Sequence, residues 1–498
     1  MEVTTNMTKE GELSWVDLKN IADTLDSYRV RNFIDSKEDI LDSGVYTEQQ
    51  YETILFEMID QETLKYGLLN HLALKQDTNL SSIQEFSDQK SIEIKKTLGL
   101  LKLLEAENLI TLEIVYENGE EEETVKDLSI TVKQKNPSQI KPIYEPVQLI
   151  FDEEICSGCG LCAGICPMDC ITIENGHGKV DDDKCIRCGL CYYVCPRTYL
   201  PTDILNIYQE NSSKIKDFGK IGFFLEAYSA RTKIDEIREV CQDGGVTSTC
   251  LYYLFENEMI DYAIGAKMSD DPWRPEPTII ENKDQILDTA GTKHVNNPNL
   301  SLLNREDLMD KKIAVTGVPC QMQALLKNEI FNIGFPSLNG VDYRIGIFCM
   351  ESFEYNEGFL QICDKLEVDV TDVQKTDINK GKFFIYTKDG EELAAPIKEV
   401  TSLAREDCEV CFDLTSESAD ISIGSIGAPS GWNCVLIRTQ KGKELFNALL
   451  DNDLIESKPI AEVKPGLGLL KKIAGGKRKK SQTHIDKKRE AQKPFPKY

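Results

Sequence analysis

The sequence has no long apolar run, and its first residues lack the pattern of a secretion signal. No stretch of its 498 residues approaches the roughly 18 consecutive apolar residues that a membrane-spanning helix needs. The first residues, MEVTTNMTKEGELSW, contain neither the charged segment nor the apolar segment of a signal peptide. We therefore expect a cytoplasmic protein without an integral membrane segment, an expectation that leaves room for peripheral attachment to a membrane complex.

Two nucleotide-binding motifs and an excess of basic charge are also missing. The sequence contains neither GxGxxG nor GxxxxGK[ST], so it offers no Rossmann NAD site and no P-loop. Only 57 Lys and Arg residues stand against 84 Asp and Glu residues, which gives a net charge of −27. Such an acidic chain repels phosphates, so we expect no nucleic acid partner.

Cysteine is abundant, and its spacing is specific. Eight of the 17 cysteines form the pattern CxxCxxCxxxCP twice. Three closely spaced thiolates surround one corner of a cubane, and the fourth ligand comes from the other copy. We therefore predict two 4Fe-4S clusters with crossed ligands. One is held by Cys156, Cys159, Cys162 and Cys195, and the other by Cys185, Cys188, Cys191 and Cys166.

Structural zinc and chance spacing are the alternatives for this cysteine-rich stretch. Zinc sites are closed by two CxxC pairs and do not need three cysteines plus CxxxCP in two copies. The stretch, about residues 148–200, resembles a bacterial-type two-cluster ferredoxin. Cys170 lies outside the pattern, and we interpret it as a buried cysteine without a ligand role. Iron-bound cysteines in place of disulfides indicate a reducing compartment.

Length and composition predict a multidomain α/β (α+β) fold. We expect an acidic helical domain in residues 1–145, the ferredoxin domain in residues 146–201, an α/β module in residues 202–470 and a basic tail in residues 471–498. Alternation of β-rich apolar runs with helical stretches indicates the α/β module. The tail is interpreted as solvated and poorly ordered, with Phe495 and Tyr498 available to anchor it to a partner. Docking on anionic lipid, nucleic acid or an acidic protein is the alternative.

The first domain combines helical periodicity with a hairpin signal. Apolar spacing predicts helices over Glu62–Leu74, Ser82–Phe86 and Lys90–Asn108, and two alternating segments follow, joined through Asn118-Gly119. This order resembles a winged helix, whose third helix would bind nucleic acid. The turn carries four glutamates, Glu120 to Glu123, which phosphates repel, so we favour a protein-docking or structural role. The linker KQKNPSQIKPIYEP is expected to be extended.

Three runs of the α/β module contain candidate site residues. In CQDGGVTS, Gly244 and Gly245 precede a helix whose free N–H groups would hold an anion such as a flavin pyrophosphate, although a simple turn also explains them. In AGTKHVNNPNL, Lys293 stands beside His294, for which a structural role is the alternative. In KKIAVTGVPCQMQALL, a buried strand leads to Cys320, at the sheet edge where α/β folds bind ligands.

Four further cysteines form a second kind of pattern. Cys320 and Cys349 each follow a predicted strand, while Cys408 and Cys411 form a CxxC pair. Together they supply the four thiolates of a third 4Fe-4S cluster. Buried cysteines without metal explain the spacing equally well.

The module also shows a series of motifs in one order: CQDGGVTS, AGTKHV, GVPCQMQAL, GIFCMESFEY, CEVC and ADISIGSIGAPSGWNCVLIRT. This series resembles the beta-subunit family of coenzyme F420-reducing hydrogenase and F420-linked dehydrogenases, and in particular its members with an N-terminal two-cluster ferredoxin. The resemblance covers about residues 148–465. It implies a third cluster on Cys320, Cys349, Cys408 and Cys411 and a FAD site. The implied flavin-binding residues are Gln242, Asp243, Gly244, Gly245, Val246, Thr247, Ser248, Lys293, His294, Val295, Asn297, Gly424, Ser425 and Gly427.

The same resemblance implies a coenzyme F420-dependent oxidoreductase of the F420H2 dehydrogenase or F420-reducing type. Such a protein exchanges a hydride between coenzyme F420 and FAD and passes single electrons through the clusters to or from a redox partner. The partner would be a hydrogenase, dehydrogenase or heterodisulfide-reductase-type complex, or ferredoxin. Lys293 and His294 are the expected catalytic residues, since they would tune the flavin.

Three alternatives stay open at this point. The same flavin and iron–sulfur module can act on an acceptor other than F420, as a ferredoxin-dependent reductase does. The chain can also be an electron-transfer subunit that is not itself catalytic. A redox-sensing DNA-binding regulator is the third alternative, and the acidic turn of the first domain argues against it.

Overall fold

The computed structural model of the chain describes residues 20, 27–75, 78–116, 125–133, 147–212, 219–308, 311–331 and 341–498. The turn expected at Asn118-Gly119, the glutamates Glu120 to Glu123 and nearly all of the linker lie outside these residues. None of the described helices is both long and apolar enough to cross a bilayer.

The N-terminal region contains helices and one hairpin. Its helices are α1 (Tyr28–Asp35), α2 (Lys37–Asp42), α3 (Glu48–Ala73), α4 (Leu80–Lys90) and α5 (Ile94–Ala106), and its strands are β1 (Ile110–Tyr116) and β2 (Val125–Val132). The strands pair antiparallel, as predicted. Helix α3 is longer than predicted because a capping box between Thr47 and Gln50 starts it early. Helix α5 starts late because Ser91 adopts a left-handed conformation with φ 54°.

Helix α5 is enclosed by the rest of the chain. All its residues from Thr97 to Leu104 are buried. A Cβ added at Gly99 would lie 2.5 Å from Ile330 Cγ2, so the helix closely approaches the α/β region. A helix that reads DNA must present one face to the groove. Because α5 has no free face over this stretch, its packing favours a structural role for the N-terminal region.

The cysteine-rich region repeats one local structure. It contains α6 (Gln148–Asp152), α7 (Leu161–Gly164), α8 (Leu190–Val194) and the hairpin β3 (Ile171–Glu174) and β4 (His177–Val180), and α9 (Thr202–Ser212) follows it. Helices α7 and α8 each start after a glycine with positive φ, 90° at Gly160 and 73° at Gly189. The two cysteine loops therefore turn in the same way, as the repeated sequence motif predicts.

The α/β region is built on a mixed eight-stranded sheet. The strands of this region, which include those of a second, smaller sheet, are β5 (Glu226–Thr232), β6 (Tyr262–Met268), β7 (Pro275–Ile280), β8 (Ile313–Gly317), β9 (Val341–Ile347), β10 (Val373–Asn379), β11 (Lys382–Thr387), β12 (Glu392–Pro396), β13 (Ile421–Gly424), β14 (Asn433–Ile437) and β15 (Ile455–Pro459). Its helices are α10 (Asp235–Val240), α11 (Val246–Glu256), α12 (Pro319–Phe331), α13 (Leu360–Lys365), α14 (Ile397–Val400) and α15 (Gln440–Asp451). The main sheet has the order β15-β5-β14-β13-β9-β8-β6-β7, and β10, β11 and β12 form a separate sheet.

One edge of the main sheet collects several chain segments. Strands β13, β9, β8 and β6 are parallel to their neighbours in that series, so their carboxyl ends share an edge. Cys320 lies just beyond β8, Cys349 beyond β9 and Ser425 beyond β13. The two predicted strands before Cys320 and Cys349 are present. Ligands of open α/β sheets bind at this edge.

A long helix near the C-terminus, α16 (Leu467–Glu490), packs on the α/β region. Its buried residues, Leu470, Ala474, Lys477, Ser481 and Ile485, recur at helical spacing and form one stripe. Beyond it, Lys497 pairs with Tyr199, and the Leu200 N–H donates to the Lys497 carbonyl at 2.8 Å. The expectation of a poorly ordered tail was therefore wrong, and its boundary at residue 471 falls inside a helix.

Candidate functional site

The four cysteines predicted for the second ferredoxin cluster line one cavity. Cys166, Cys185, Cys188 and Cys191 border a space of about 530 Å³, part of it open to solvent. Cys166 belongs to the first copy of the motif and the other three belong to the second copy. The fold therefore brings together the crossed set that a cubane would need at this position.

Cys170 lies in the same cavity. It is buried, as expected, but its Sγ is 3.4 Å from Cys166 Sγ. A hydrogen bond with Cys170 lowers the pKa of the Cys166 thiol, and another lowers that of Cys185 to about 6. Cys170 is thus a neighbour of the predicted ligands, which its place outside the motif did not reveal.

The four cysteines of the first set also face one another. Burial raises the pKa of the Cys162 thiol, and Cys159, Cys156 and Cys195 raise it further. Backbone N–H groups point at the sulfurs: Gly158 donates to Cys156 Sγ at 3.3 Å and Arg197 donates to Cys195 Sγ at 3.4 Å. Hydrogen bonds of this kind to sulfur tune iron–sulfur clusters, so the donor pattern fits a cluster here.

The third set is assembled from distant segments. Cys320 stands in the first turn of α12, Cys349 follows β9, and Cys408 and Cys411 lie in the turn around Glu406–Val410. Burial raises the pKa of the Cys349 thiol to about 11, and the nearby Cys411 contributes to the rise. The Ser352 N–H donates to Cys408 Sγ at 3.4 Å. This set therefore shares burial and N–H···S contacts with the ferredoxin sets.

The cysteine sets do not have the geometry of a single-ion site. Within the described ranges, no three or more His, Cys, Asp or Glu side chains close around one metal ion. A structural zinc ion needs four ligands that converge on one point.

A large cavity opens at the carboxyl edge of the main sheet. Its volume is about 1460 Å³, including space open to solvent, which is ample for a dinucleotide-sized ligand. Of the predicted flavin and third-cluster residues, it is lined by Gln242, Lys293, His294, Val295, Asn297, Gly424, Ser425, Cys320 and Cys349. The structure thus joins residues from the three predicted flavin segments with two of the four third-set cysteines.

Other wall residues were missed by the sequence analysis. Ser157 reaches the cavity from the first cysteine loop, and Asp377 and Ile378 reach it from β10. Ser157 lies inside the first cysteine motif, but nothing in that motif indicates a role in the cavity, and Asp377 and Ile378 belong to no motif that the sequence singles out. Strand β10 lies in the separate small sheet, so only the tertiary fold brings it to the edge of the main sheet.

His294 is held neutral at the cavity wall. Its Nδ1 lies 2.9 Å from Thr376 Oγ1, and its ring packs edge-on against Phe383. Burial lowers the pKa of His294 to about 4. At neutral pH this imidazole therefore carries no charge and can interact with a ligand only by hydrogen bonding or packing.

Lys293 is turned toward its own loop. Its Nζ donates to the carbonyl oxygens of Thr289 at 2.8 Å, Ala290 at 2.9 Å and Gly291 at 3.2 Å. Burial lowers the pKa of this ammonium to about 8. Lys293 thus shapes the loop and places a positive charge at the cavity wall below that pH.

The rest of the Gly-Gly segment lies behind the wall. Asp243, Gly244, Gly245, Val246, Thr247, Ser248 and, on another segment, Gly427 do not line the cavity. A Cβ at Gly244 would lie 2.6 Å from the Asn433 nitrogen, and the Val246 N–H donates to Asn433 Oδ1 at 3.2 Å. That N–H is therefore not free for an anion, and the role of these residues in flavin binding stays a prediction.

Two asparagines supply a test of whether the cavity fits a polar ligand. Asn296 Oδ1 and Asn297 Oδ1 are buried and have no hydrogen-bond partner among the described residues. Both residues line the cavity. Burying an unpaired amide oxygen costs about 1–3 kcal/mol. Asn296 Oδ1 lies beside Gly158 and Gly176 on the cysteine side of the loop, so the oxygen that favours a hydrogen-bond-donating ligand is that of Asn297. The amide and ribityl groups of a flavin satisfy that requirement.

The loop that contains Asn296 also joins the cavity to the first cysteine set. Asn296 Nδ2 donates to the Ser157 carbonyl at 2.9 Å, and the Leu300 N–H donates to the Cys159 carbonyl at 3.1 Å. A Cβ at Gly164 would lie 2.3 Å from the Leu300 carbonyl oxygen, so the two segments are in close backbone contact. The cavity and the first set thus share one wall.

A buried ion-pair network connects the first and third cysteine sets. Arg197, two residues after Cys195, forms an ion pair with Asp407 at 3.0 Å. Arg405 contacts the other Asp407 oxygen at 2.9 Å and donates to the Cys156 carbonyl at 2.7 Å. The Tyr498 hydroxyl accepts from Arg197 at 3.2 Å and donates to the Val410 carbonyl at 2.6 Å, so Tyr498 anchors within its own chain.

These features define an electron-transfer oxidoreductase of the iron–sulfur class. Residues 148–196 match a 4Fe-4S dicluster domain. Residues 227–304 and 310–463 match the N-terminal and C-terminal models of the coenzyme F420 hydrogenase/dehydrogenase beta subunit. The chain belongs to that beta-subunit family. These three matches leave residues 1–147, 197–226, 305–309 and 464–498 uncovered.

Several relatives show how far the similarity extends. The coenzyme F420 hydrogenase beta subunit of Methanosarcina barkeri is 37% identical over 54% of this chain and 94% of its own length. The F420H2 dehydrogenase of Methanosarcina mazei has a subunit that is 33% identical over 68% of this chain and 93% of its own length. The solved F420-reducing [NiFe] hydrogenase complex of Methanosarcina barkeri contains a similar chain, with TM-score 0.53 and 38% identity over 55% of this chain and 95% of that one.

Proposed function

We propose that this protein is a coenzyme F420-dependent oxidoreductase that exchanges a hydride between F420 and bound FAD. Single electrons then pass between its three 4Fe-4S clusters and a redox partner. The observation that carries this proposal is the cavity at the carboxyl edge of the main sheet. Its wall contains the predicted flavin loops together with Cys320 and Cys349.

A bound flavin supplies the conversion between paired and single electrons, because it exchanges two electrons with a deazaflavin and one at a time with a cluster. The chain's own residues prepare the cavity for such a ligand. Asn297 offers a buried acceptor, and neutral His294 adds a hydrogen-bonding group without charge. Lys293 contributes positive charge that would stabilise a reduced, anionic ring.

The three cysteine sets support an order for the electron path. Cys320 and Cys349 line the cavity, so the third set is adjacent to it. Cys320 and the first-set residue Cys159 are close enough to interact electrostatically, as are the first-set Cys162 and the second-set Cys191. This chain of neighbours supports a path from the cavity through the third and first sets to the second set.

The experiment that tests this proposal is a cofactor analysis combined with a reduction assay. Anaerobically purified protein should contain one FAD and about twelve irons and twelve acid-labile sulfides, as three cubanes require. Reduced F420 should bleach the flavin absorption, while NADH should not. Protein without flavin, or flavin bleached by NADH alone, would refute the proposal.

A second candidate function is the same module acting on a different acceptor. The coenzyme F420-dependent sulfite reductase of Methanocaldococcus jannaschii is 31% identical over 68% of this chain but only 52% of its own length. This relative supports the idea that the module can be combined with other protein parts that carry out different reactions. Flavin reduction by F420 with no electron delivery to a hydrogenase or dehydrogenase complex would support this candidate.

The N-terminal region is best explained as a structural or docking module that resembles a winged helix. The burial of α5 from Thr97 to Leu104 supports this role over DNA reading. Its contacts reach the second cysteine set, since Tyr46 donates to the Ile165 carbonyl at 2.8 Å and Ser43 donates to the Pro167 carbonyl at 2.8 Å. We expect the redox partner to dock near this set, in the cytoplasm or on a membrane complex.

A further inference from the structure

The C-terminal helix α16 brings a lysine into the interior beside the third cysteine set. Lys477 is only 5% exposed. Its Nζ donates to the Cys349 carbonyl at 2.7 Å and to the Asp413 carbonyl at 2.8 Å. One acceptor belongs to a cysteine of the set and the other lies two residues beyond Cys411. The ammonium thus links two of the segments that carry this set.

The buried stripe of α16 makes this lysine unusual. Its other members are Leu470, Ala474, Ser481 and Ile485, none of which is charged. Burying an ammonium costs several kcal/mol unless a negative charge offsets it. The lysine therefore indicates a negative charge nearby.

The carboxylate of Asp413 does not supply that charge directly. Its oxygens accept from Gln323 Nε2 at 3.2 Å and from the backbone N–H groups of Thr415 at 2.9 Å and Glu417 at 3.0 Å. Lys477 donates to the backbone carbonyl of Asp413 and not to its carboxylate. Among the described ion pairs none includes Lys477, whereas its neighbour Arg478 pairs with Glu417.

A cluster held by the third set is the remaining source of negative charge. A four-thiolate cluster has net negative charge, and nearby charge is one of the factors that set cluster potentials. A fixed cation beside the set would favour the more negative, reduced state of a bound cluster.

We infer that Lys477 is a positioning residue of the third cluster, which holds the Cys349 and Cys411 segments together and raises the reduction potential of that cluster. This inference rests on the proposed function, because it requires the third cluster to be present. It extends the redox machinery into α16, which begins beyond the residues matched by the family models. The helix is thus part of the electron path and not only a basic surface element.

The test is the variant Lys477→Met, with Lys479→Met as the matched control. Lys479 lies on the same helix but is exposed, so its replacement changes the net charge equally without touching the set. Anaerobic redox titrations followed by electron paramagnetic resonance give the midpoint potential of each cluster. The signal absent from Cys320→Ser protein identifies the third cluster.

For Lys477→Met we expect the midpoint potential of the third cluster to fall by at least about 59 mV. For a one-electron couple, this shift raises the oxidised-to-reduced ratio at a fixed potential tenfold. The ferredoxin clusters should shift much less, and Lys479→Met should match the wild type. An unchanged third midpoint in Lys477→Met would overturn the inference.

Loss of the third cluster from Lys477→Met would be resolved by two further variants. Lys477→Arg keeps the charge, and Lys477→Gln keeps a donor without the charge. Cluster retained in Lys477→Arg but absent from Lys477→Gln would support the requirement for charge, whereas absence from both would overturn it. Wild-type protein with only about eight irons per chain would refute the third cluster itself, and with it the proposed function.

Discussion

The ferredoxin cysteines and the third cysteine set differ in how the chain brings them together. Within each copy of the ferredoxin motif, Cys156 to Cys166 or Cys185 to Cys195, the ligands lie in one short loop and helix. The third set joins the ends of β8 and β9 to a turn near residue 408, and its surroundings include α16. The first arrangement depends on local geometry, whereas the second depends on the completed sheet. We therefore expect the third set to be far more sensitive to distant changes.

The largest effect that tests this comparison is the loss of one cluster. Cys320→Ser should remove the third cluster, because a cubane needs its four thiolates. Iron should fall from about twelve to about eight per chain, and the ferredoxin signals should persist in electron paramagnetic resonance spectra. Iron that falls to near zero would mean that the two regions are not independent.

A smaller effect should follow from breaking the ion pair between the regions. Arg197→Ala removes one of the two buried arginines that pair with Asp407, and the loss of a buried partner costs up to about 3–5 kcal/mol of unfolding free energy. Anaerobic denaturant titration of the holoprotein measures this cost.

The exposed pair of Arg305 and Asp307, in which both side chains are 49% exposed, provides the control. Arg305→Ala should cost no more than about 1 kcal/mol. Equal effects of the two substitutions would show that the buried pair does not connect the regions.

The next effect depends on pH and concerns the cavity between the regions. His294 has a pKa of about 4 in the folded chain, below the value of about 6.5 in an unfolded chain. Its stabilising contribution is complete above about pH 6.5 and is lost as the pH falls toward 4, because the unfolded chain binds the proton first. Between pH 7.5 and 5 the loss should be on the order of 2 kcal/mol.

His294→Gln can retain the hydrogen bond to Thr376 but does not titrate. The difference in unfolding free energy between wild type and variant should therefore change by this amount over the same pH interval. A difference that stays constant with pH would show that the imidazole is not held neutral.

The smallest effect is expected inside the ferredoxin region. Cys170→Ala should leave the iron content unchanged, since the crossed set already supplies four ligands around its cavity. Cys166→Ala is the matched comparison and should lose one cluster. Iron loss from Cys170→Ala would show that Cys170 is a ligand.

Much of the fold was predictable where the signal was local. The repeated cysteine motif predicted two similar loops, and both are present, each with a positive-φ glycine before its helix. The strands before Cys320 and Cys349 followed from short apolar runs, and the hairpin of the N-terminal region followed from alternation. In each case, neighbours in sequence determine the structure.

The rest depended on single residues whose partners are far away. Lys477 stands in a strongly basic segment, where one buried lysine is indistinguishable from its solvated neighbours, so the segment was interpreted as a disordered tail. Asp377 and Ser157 reach the cavity from other elements. Asp407 stands beside a CxxC pair, but its partner Arg197 is 210 residues away. Periodicity and motif spacing give no signal for such contacts.

The loop Ala290–Leu300 has a consequence for how new specificities arise in this family. One face of the loop lines the cavity and the other bonds the segment between Cys156 and Cys159. An insertion that reshaped the side of the loop facing the cavity would also displace the side facing the cysteines. A single mutation there would therefore alter both ligand binding and electron transfer. We expect variation in substrate choice to accumulate instead around Gln242 and Asp377, which line the cavity on segments distant in sequence from the cysteine loops, so that changes there would leave the predicted iron ligands in place.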